Sequence, residues 1–256
     1  MIFSPAQIAA LKTHPVKGLT AHPLQFADLQ AGGVFPMDRA YAIENGPCGF
    51  DPAAPQHISK SKFLVLARYA EIAEINCTYE LEQQTITLAK PGADKLTLSL
   101  NTADGQAALA AYFSQHMAEK AIGQLRVRHS NTHSFTDTPE NTIHVVNMAS
   151  VNALSETLGV QIDPARFRAN ILVEGIPAYE ELSWADHKVH SSSGLEFKFV
   201  KRTRRCAAVD VNPQTAERDT NINKALRETL GHMDVGIYLE ALNDGRLTVG
   251  DTLHVE

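Results

Sequence analysis

The C-terminal stretch sets the tightest limit on how this chain folds. Two runs of strand-forming residues, Gly236–Leu242 and Leu247–Val255, flank Asn243-Asp244-Gly245, and Gly250-Asp251 interrupts the second. Such residues supply the turn chemistry of a hairpin. The pattern recurs upstream. Ile8–Lys12 reads as a strand ended by His14-Pro15, and Gly32-Gly33 is a break. Asp38–Ile43 alternates in the strand manner, and Gly46–Pro55 reads as a surface loop. Leu64–Leu88 holds strand-like runs with a turn at Glu82-Gln83-Gln84, and Leu96, Leu98 and Leu100 alternate with Thr97 and Ser99. Ala169–Val173, Leu195–Val200 and Cys206–Val211 complete the predicted strands.

Helical spacing is confined to three stretches. The first starts at Asp104 as N-cap, carries Leu109, Tyr112, Phe113 and Met117, and ends near Gly123. The second takes Ser150 as N-cap, lines up Val151, Leu154 and Leu158, and stops at Gly159. The third covers Asn223–Leu230. The expectation is a mostly β (α+β) protein in two barrel-like parts, a smaller β-rich domain over 1–121 and a second domain over 122–256.

Composition narrows the function classes. The 256 residues are 44% hydrophobic, enough for an extensive core, and carry a net charge of −6. An acidic balance argues against a general binder of nucleic acid or membrane surfaces. The three cysteines, Cys48, Cys77 and Cys206, form no CxxC pair and no zinc-like cluster, which fits a reducing compartment. The N-terminus lacks a basic segment followed by a long apolar one, and no window approaches the ~18 apolar residues of a membrane span. The expected location is the cytoplasm.

Against that acidic background, Lys198, Lys201, Arg202, Arg204 and Arg205 crowd the approach to Cys206. If the strand continues, Arg202, Arg204 and Cys206 share one face. Guanidinium groups stabilise a thiolate and bind phosphate in a forked geometry, so the run is either a cofactor site or a solvated edge strand with an inert cysteine. In Arg166–Val173, strand parity sets Arg168 and Asn170 on one face and Phe167, Ala169 and Ile171 on the other. A third candidate is His14-Pro15-Val16-Lys17-Gly18 followed by Asp38-Arg39, where a restrained loop offers Lys17 to a phosphate. HExxH, GxGxxG, a P-loop and GxSxG are all missing.

These residues, taken in order, resemble the MOSC family, named for the C-terminal region of molybdenum-cofactor sulfurases. The matching elements are Asn147-Met148-Ala149-Ser150, the FRxN-like Phe167-Arg168-Ala169-Asn170, the RC pair Arg205-Cys206, Gly236-Ile237-Tyr238 and the VGD of Val249-Gly250-Asp251. The first half resembles the β-barrel domain that precedes MOSC, through the YPVKS-like His14–Gly18 and the DR pair Asp38-Arg39. The resemblance implies that Cys206 ligates the metal of a molybdenum cofactor (molybdopterin). It also implies that Lys17, Arg39, Asn147, Ser150, Arg168, Asn170 and Arg204 surround that cofactor. Three residues depart from the pattern: Gly18 replaces a Ser, Ala169 replaces a Pro, and Arg204 stands where a Ser is common.

By layout the resemblance extends to the amidoxime-reducing proteins. It implies reduction of N-hydroxylated small molecules. With no cysteine set for an iron–sulfur cluster, electrons are expected from a separate donor protein. Two other readings stand beside it: a sulfur carrier or transferase using a Cys206 persulfide, and a non-catalytic cofactor carrier. The family is also associated with pyridoxal phosphate, for which no lysine here is nominated.

Overall fold

The computed structural model describes residues 3–256. In the first half the strands are β1 (Ala6–Thr13), β2 (His22–Leu24), β3 (Phe26–Leu29), β4 (Tyr41–Asn45), β5 (Asn76–Glu80), β6 (Thr85–Ala89) and β7 (Leu96–Ser99). Helix α1 (Ala103–Met117) and β8 (Leu125–His129) follow. The second half runs β9 (Ile143–Asn147), α2 (Met148–Leu158), β10 (Ile171–Glu174), β11 (Val189–Ser191) and β12 (Glu196–Arg204). It ends with α3 (Ile222–Leu230), β13 (Asp234–Ala241), β14 (Gly245–Thr248) and β15 (Thr252–Val255). The protein is mostly β, with three α-helices among the described residues.

The main sheet closes on itself. Its order is β10-β9-β13-β12-β11-β15-β1, and β1 pairs back onto β10, which leaves β2 as an outer addition to β1. Closure removes the exposed strand edges that an open sheet would present. Inward-facing Ile8, Leu11, Val145, Ile171, Phe197, Ile237, Leu239 and Leu253 fill the barrel, with Trp184 fully buried beside them. Ala27 and Leu29 of β3 join this core, and β3 pairs with β14. Strands β1 and β3 therefore precede the 121/122 division in sequence yet share the barrel core of the second half, while Val16 and Leu19 between them join the core of the first half. The rest of the first half builds its own core. There β4 pairs with β8, β5–β6–β7 form a small sheet, and α1 buries Leu109, Phe113 and Met117. A third core lies under α2 and α3, around Val151, Leu154, Ile222 and Leu226.

Several local expectations are corrected. Helix α1 is capped by Thr102, whose side chain accepts from the Gly105 amide, and it ends at Met117. Helix α2 is capped by Asn147 rather than Ser150, and it stops at the left-handed Gly159 as expected. Asp38 and Arg39 lie in a turn before β4, with Arg39 at φ +52. Residues Ala70–Glu74 and Ala207–Asp210 are short 3-10 helices, not strands. Strand β12 stops at Arg204 because the Arg205 amide turns to bond the Met233 carbonyl. The 207–210 turn is then tied down by Arg218, which donates to the Ala207 carbonyl, and by Asp210, which accepts from the Ile222 amide.

Candidate active site

A cavity lies between the barrel and the first half. Its wall includes Lys17, Gly18, Arg39, Lys60, Asp137, His144, Arg166, Arg168, Asn170, Arg205, Cys206 and Tyr238. Six of its lining residues are cations and one, Asp137, is a carboxylate, the reverse of the chain's acidic balance.

Backbone pairing explains how distant segments meet there. The Arg39 amide donates to the His14 carbonyl, and the Lys17 and Tyr41 amides exchange bonds with the Tyr41 and Pro15 carbonyls. The His14–Gly18 loop is thereby fixed against the turn before β4. Gly18 sits at φ +88, and a Cβ there would lie 2.7 Å from the Leu64 carbonyl oxygen. Glycine in place of the family's serine is thus a steric requirement of this loop.

Arg168 does not lie on a strand. It caps the short helix Pro164–Phe167 in the left-handed region, at φ +54, and β10 begins only at Ile171. That conformation sends its guanidinium across the cleft, where Nη1 donates to the Leu19 carbonyl at 2.7 Å. Asn170 lines the cavity, but its amide group is occupied by the Lys12 carbonyl and the His144 amide. At the basic run the alternation holds only as far as the strand does: Arg202 and Arg204 are both exposed with Thr203 buried between them, but β12 ends at Arg204 and Cys206 lies beyond it. Arg205, not Arg204, accompanies Cys206 at the cavity. Asn147 and Ser150 lie outside the lining and are fully buried elsewhere. The Asn147 amide and the Ser150 hydroxyl both donate to the buried Glu181 carboxylate, which pins the 180–183 turn to α2.

Three residues that the sequence did not single out complete the wall. His144, on the fully buried β9, lies within 3.2 Å of Arg205 Nη1 through Nε2 and 3.4 Å of the Arg168 carbonyl through Nδ1. Burial, with Arg205 and Arg39 nearby, pushes its pKa well below the usual range. Neutral His144 thus accepts from Arg205 and turns its Nδ1–H toward Arg168. Asp137 accepts from Lys17 Nζ on one oxygen and from Lys60 Nζ, at 2.9 Å, on the other. Burial raises its carboxyl, but the two lysines outweigh that and hold it well below the usual carboxylate range. For Lys60, burial lowers the ammonium pKa, yet Asp137 and then Cys206 raise it overall. A histidine within an apolar strand was the only sequence signal among these three. Asp137 and Lys60 come from segments without periodicity.

The charge pairing is uneven. Arg39 pairs with buried Asp38, Arg166 with Asp219 at 2.7 Å, and Lys17 and Lys60 with Asp137. Among the described residues, Arg168 and Arg205 pair with no carboxylate. Arg168 Nη2 and Arg205 Nε are buried without a hydrogen-bond partner. Burial and the facing Arg39 push the Arg168 pKa down to about 10, and burial lowers that of Arg205. Unpaired buried guanidinium groups are costly, and an anion in the cavity offsets that cost.

The same crowding predicts acid sensitivity. Burial and Arg168 push His14 down to about 3, against the weaker opposing pull of Asp38. A histidine lowered in the folded state binds its proton only on unfolding. Below pH ~6.5 the unfolded chain therefore holds more protons than the folded one. Stability then falls as pH falls, by about 1.4 kcal/mol per pH unit for each such histidine. His14 and His144 should together make urea stability drop between pH 7 and 5, above the carboxylate range. Stability that stays flat from pH 7 to 5 contradicts this.

The cavity beside the closed barrel thus brings together a thiol, Cys206, and two arginines without carboxylate partners, Arg168 and Arg205. Two family models match in tandem, the MOSC N-terminal beta barrel domain over residues 5–125 and the MOSC domain over residues 131–254, and the chain belongs to this family. The molybdenum cofactor sulfurase of Caenorhabditis elegans is 32% identical over 123 residues, or 46% of this chain and 17% of that protein. The Drosophila ananassae protein of the same name is 34% identical over 44% of this chain and 15% of its own length. The chain thus matches less than a fifth of these relatives. Among solved structures, the YuaD protein from Bacillus subtilis aligns over 98% of this chain and 96% of its own, with 15% identity and a TM-score of 0.47. No helix among the described residues is long and apolar enough to cross a membrane.

Proposed function

We propose that the cavity binds a molybdenum cofactor through Cys206, and that the chain reduces N-hydroxylated small molecules with electrons from a separate protein. The observation that carries this reading is the thiol of Cys206 at one cavity with two half-buried guanidinium groups that lack carboxylate partners. Family membership and the similarity to molybdenum cofactor sulfurases tie the chain to the biochemistry of that cofactor.

The residues present fit such a group. Cys206 lines the cavity and is partly exposed, so its thiolate would be the side chain that holds the metal. Arg168 Nη2 and Arg205 Nε are free to donate to the phosphate of the organic part. When bound, the cofactor supplies the redox chemistry, and the protein supplies position and charge. Buried Asp38 holds Arg39 by an ion pair, and Arg39 in turn donates to the Arg168 carbonyl at 3.3 Å. His144 orients Arg205 without adding charge. Lys60 stands close enough to Cys206 for the sulfur to favour the charged form of its ammonium group.

Protein purified from a host that makes the cofactor is expected to hold about one equivalent of molybdenum and to reduce an N-hydroxylated base when given a chemical reductant. Cys206→Ala should fold normally and lose the metal. Metal-free wild type from such a host overturns the proposal, and bound metal without turnover on any N-hydroxylated substrate reduces it to a carrier.

The partial exposure of Cys206, together with the name of the curated relatives, favours one other reading, sulfur transfer through a Cys206 persulfide. It predicts a cyanide-labile adduct of one sulfur atom after incubation with a cysteine desulfurase. Failure to label while molybdenum stays bound rules it out.

A further inference from the structure

The three carboxylates that balance the cavity's cations are not equivalent. Asp38 and Asp219 pair with Arg39 and Arg166 from behind and are not part of the cavity wall. Asp137 faces the cavity itself, with its side chain 40% exposed and both oxygens taken by lysines. It lies in the irregular stretch between β8 and β9, and its own amide and carbonyl make no backbone hydrogen bond. The carboxylate can therefore move without breaking a strand or helix.

An anion that enters this cavity meets Asp137 as a like charge already seated on two of its ammonium groups. We propose that Asp137 is a built-in counter-anion, displaced from Lys17 and Lys60 by the arriving ligand, and that it sets the charge threshold for binding. A phosphate dianion outcompetes a single carboxylate for the two lysines. A monoanion such as acetate offers them no more than Asp137 already does. The cavity therefore admits phosphate-bearing ligands and turns away simple monoanions. This inference rests on the anion-binding part of the proposed function and is independent of the metal.

Calorimetric titration of the full chain with inorganic phosphate and with acetate at pH 8 tests it. Asp137→Asn is expected to bind phosphate about tenfold tighter than wild type, as removal of one nearby like charge implies. It should also narrow the preference for phosphate over acetate. Asp137→Ser, which removes the charge with a different shape, should do the same and serves if the first variant does not fold. Lys17→Met should weaken phosphate binding in either background. If folded Asp137→Asn and Asp137→Ser bind phosphate no tighter than wild type, while Lys17→Met still weakens it, Asp137 merely holds the lysines in place and this inference alone falls. If wild type does not bind phosphate at all, the anion-site reading falls with it.

Discussion

Gly236→Ala is expected to destabilise the protein by about 2–5 kcal/mol and to dismantle the cavity. Gly236 sits in β13 at φ +78, and a Cβ there would stand 2.4 Å from the Val145 carbonyl oxygen and 2.7 Å from Val146 Cγ2. The left-handed backbone alone costs an alanine roughly 1–2 kcal/mol, and forcing atoms into a packed strand pair adds about 1–3 kcal/mol. The obstacle is partly backbone and belongs to the partner strand β9, so a rotamer change cannot relieve it. The same Cβ would also reach within 3.1 Å of His144 Nε2, the atom that meets Arg205. Damage should therefore spread from the β9–β13 ladder to Arg205 and Tyr238 at the cavity. Gly159→Ala is the control, because it shares a positive φ, at +67, with nothing within 4 Å of the added methyl. It should lose only about 1 kcal/mol. Equal losses by urea denaturation mean that the close approach of the strands at Gly236 is not the cause.

Arg168→Met is expected to separate binding from stability. Arg168 is a half-buried cation without a carboxylate partner, one of its nitrogens is buried and bonds nothing, and desolvation together with Arg39 lowers its pKa to about 10. Its replacement by an apolar chain of similar length removes a desolvation cost of a few kcal/mol. It also orphans the Leu19 carbonyl, at about 1–3 kcal/mol. These contributions oppose each other, so the ligand-free variant should stay within about 1 kcal/mol of wild type. Affinity for phosphate should nonetheless fall about 100-fold, the worth of a charge-assisted bond of 2–3 kcal/mol. Denaturation and phosphate titration on one preparation check both halves. A stability loss above 3 kcal/mol with affinity intact makes Arg168 a structural residue.

The mostly β fold was readable because strand alternation and turn residues are local signals. The left-handed stop at Gly159 appears where the residues place it, whereas the hairpin expected around Asn243-Asp244-Gly245 does not form, because β14 pairs with β3 and β13 with β9 and β12. Ring closure was not readable, since β1 pairs with β10 and β15 across most of the chain and alternation says nothing about partners. At the site, Cys206, Lys17, Arg39, Arg168 and Asn170 come together at one cavity. Their roles there were harder to read. Parity assumes that the strand runs on, but β12 ends at Arg204, and Arg205 rather than Arg204 accompanies Cys206 at the cavity. The same assumption misplaced Arg168, which owes its reach to a left-handed turn. Asn147 and Ser150 look like ligand contacts by type, yet a helix cap and a buried glutamate consume them. Asp137 and Lys60 lie in irregular segments, where only tertiary structure brings them to Lys17 and Cys206.

The strand that seals the barrel is separated from both of its sealing partners by more than half of this sequence. During synthesis β1 precedes β10, and β10 precedes β15. Ala6, Ile8 and Leu11 therefore stay uncovered while everything between β1 and β15 is made. Contacts between such distant residues slow folding and lengthen the exposure of sticky intermediates. The architecture that protects the finished barrel from edge-to-edge association thus leaves the nascent chain dependent on prompt synthesis of β10 and β15, or on a chaperone that shields β1 until they arrive.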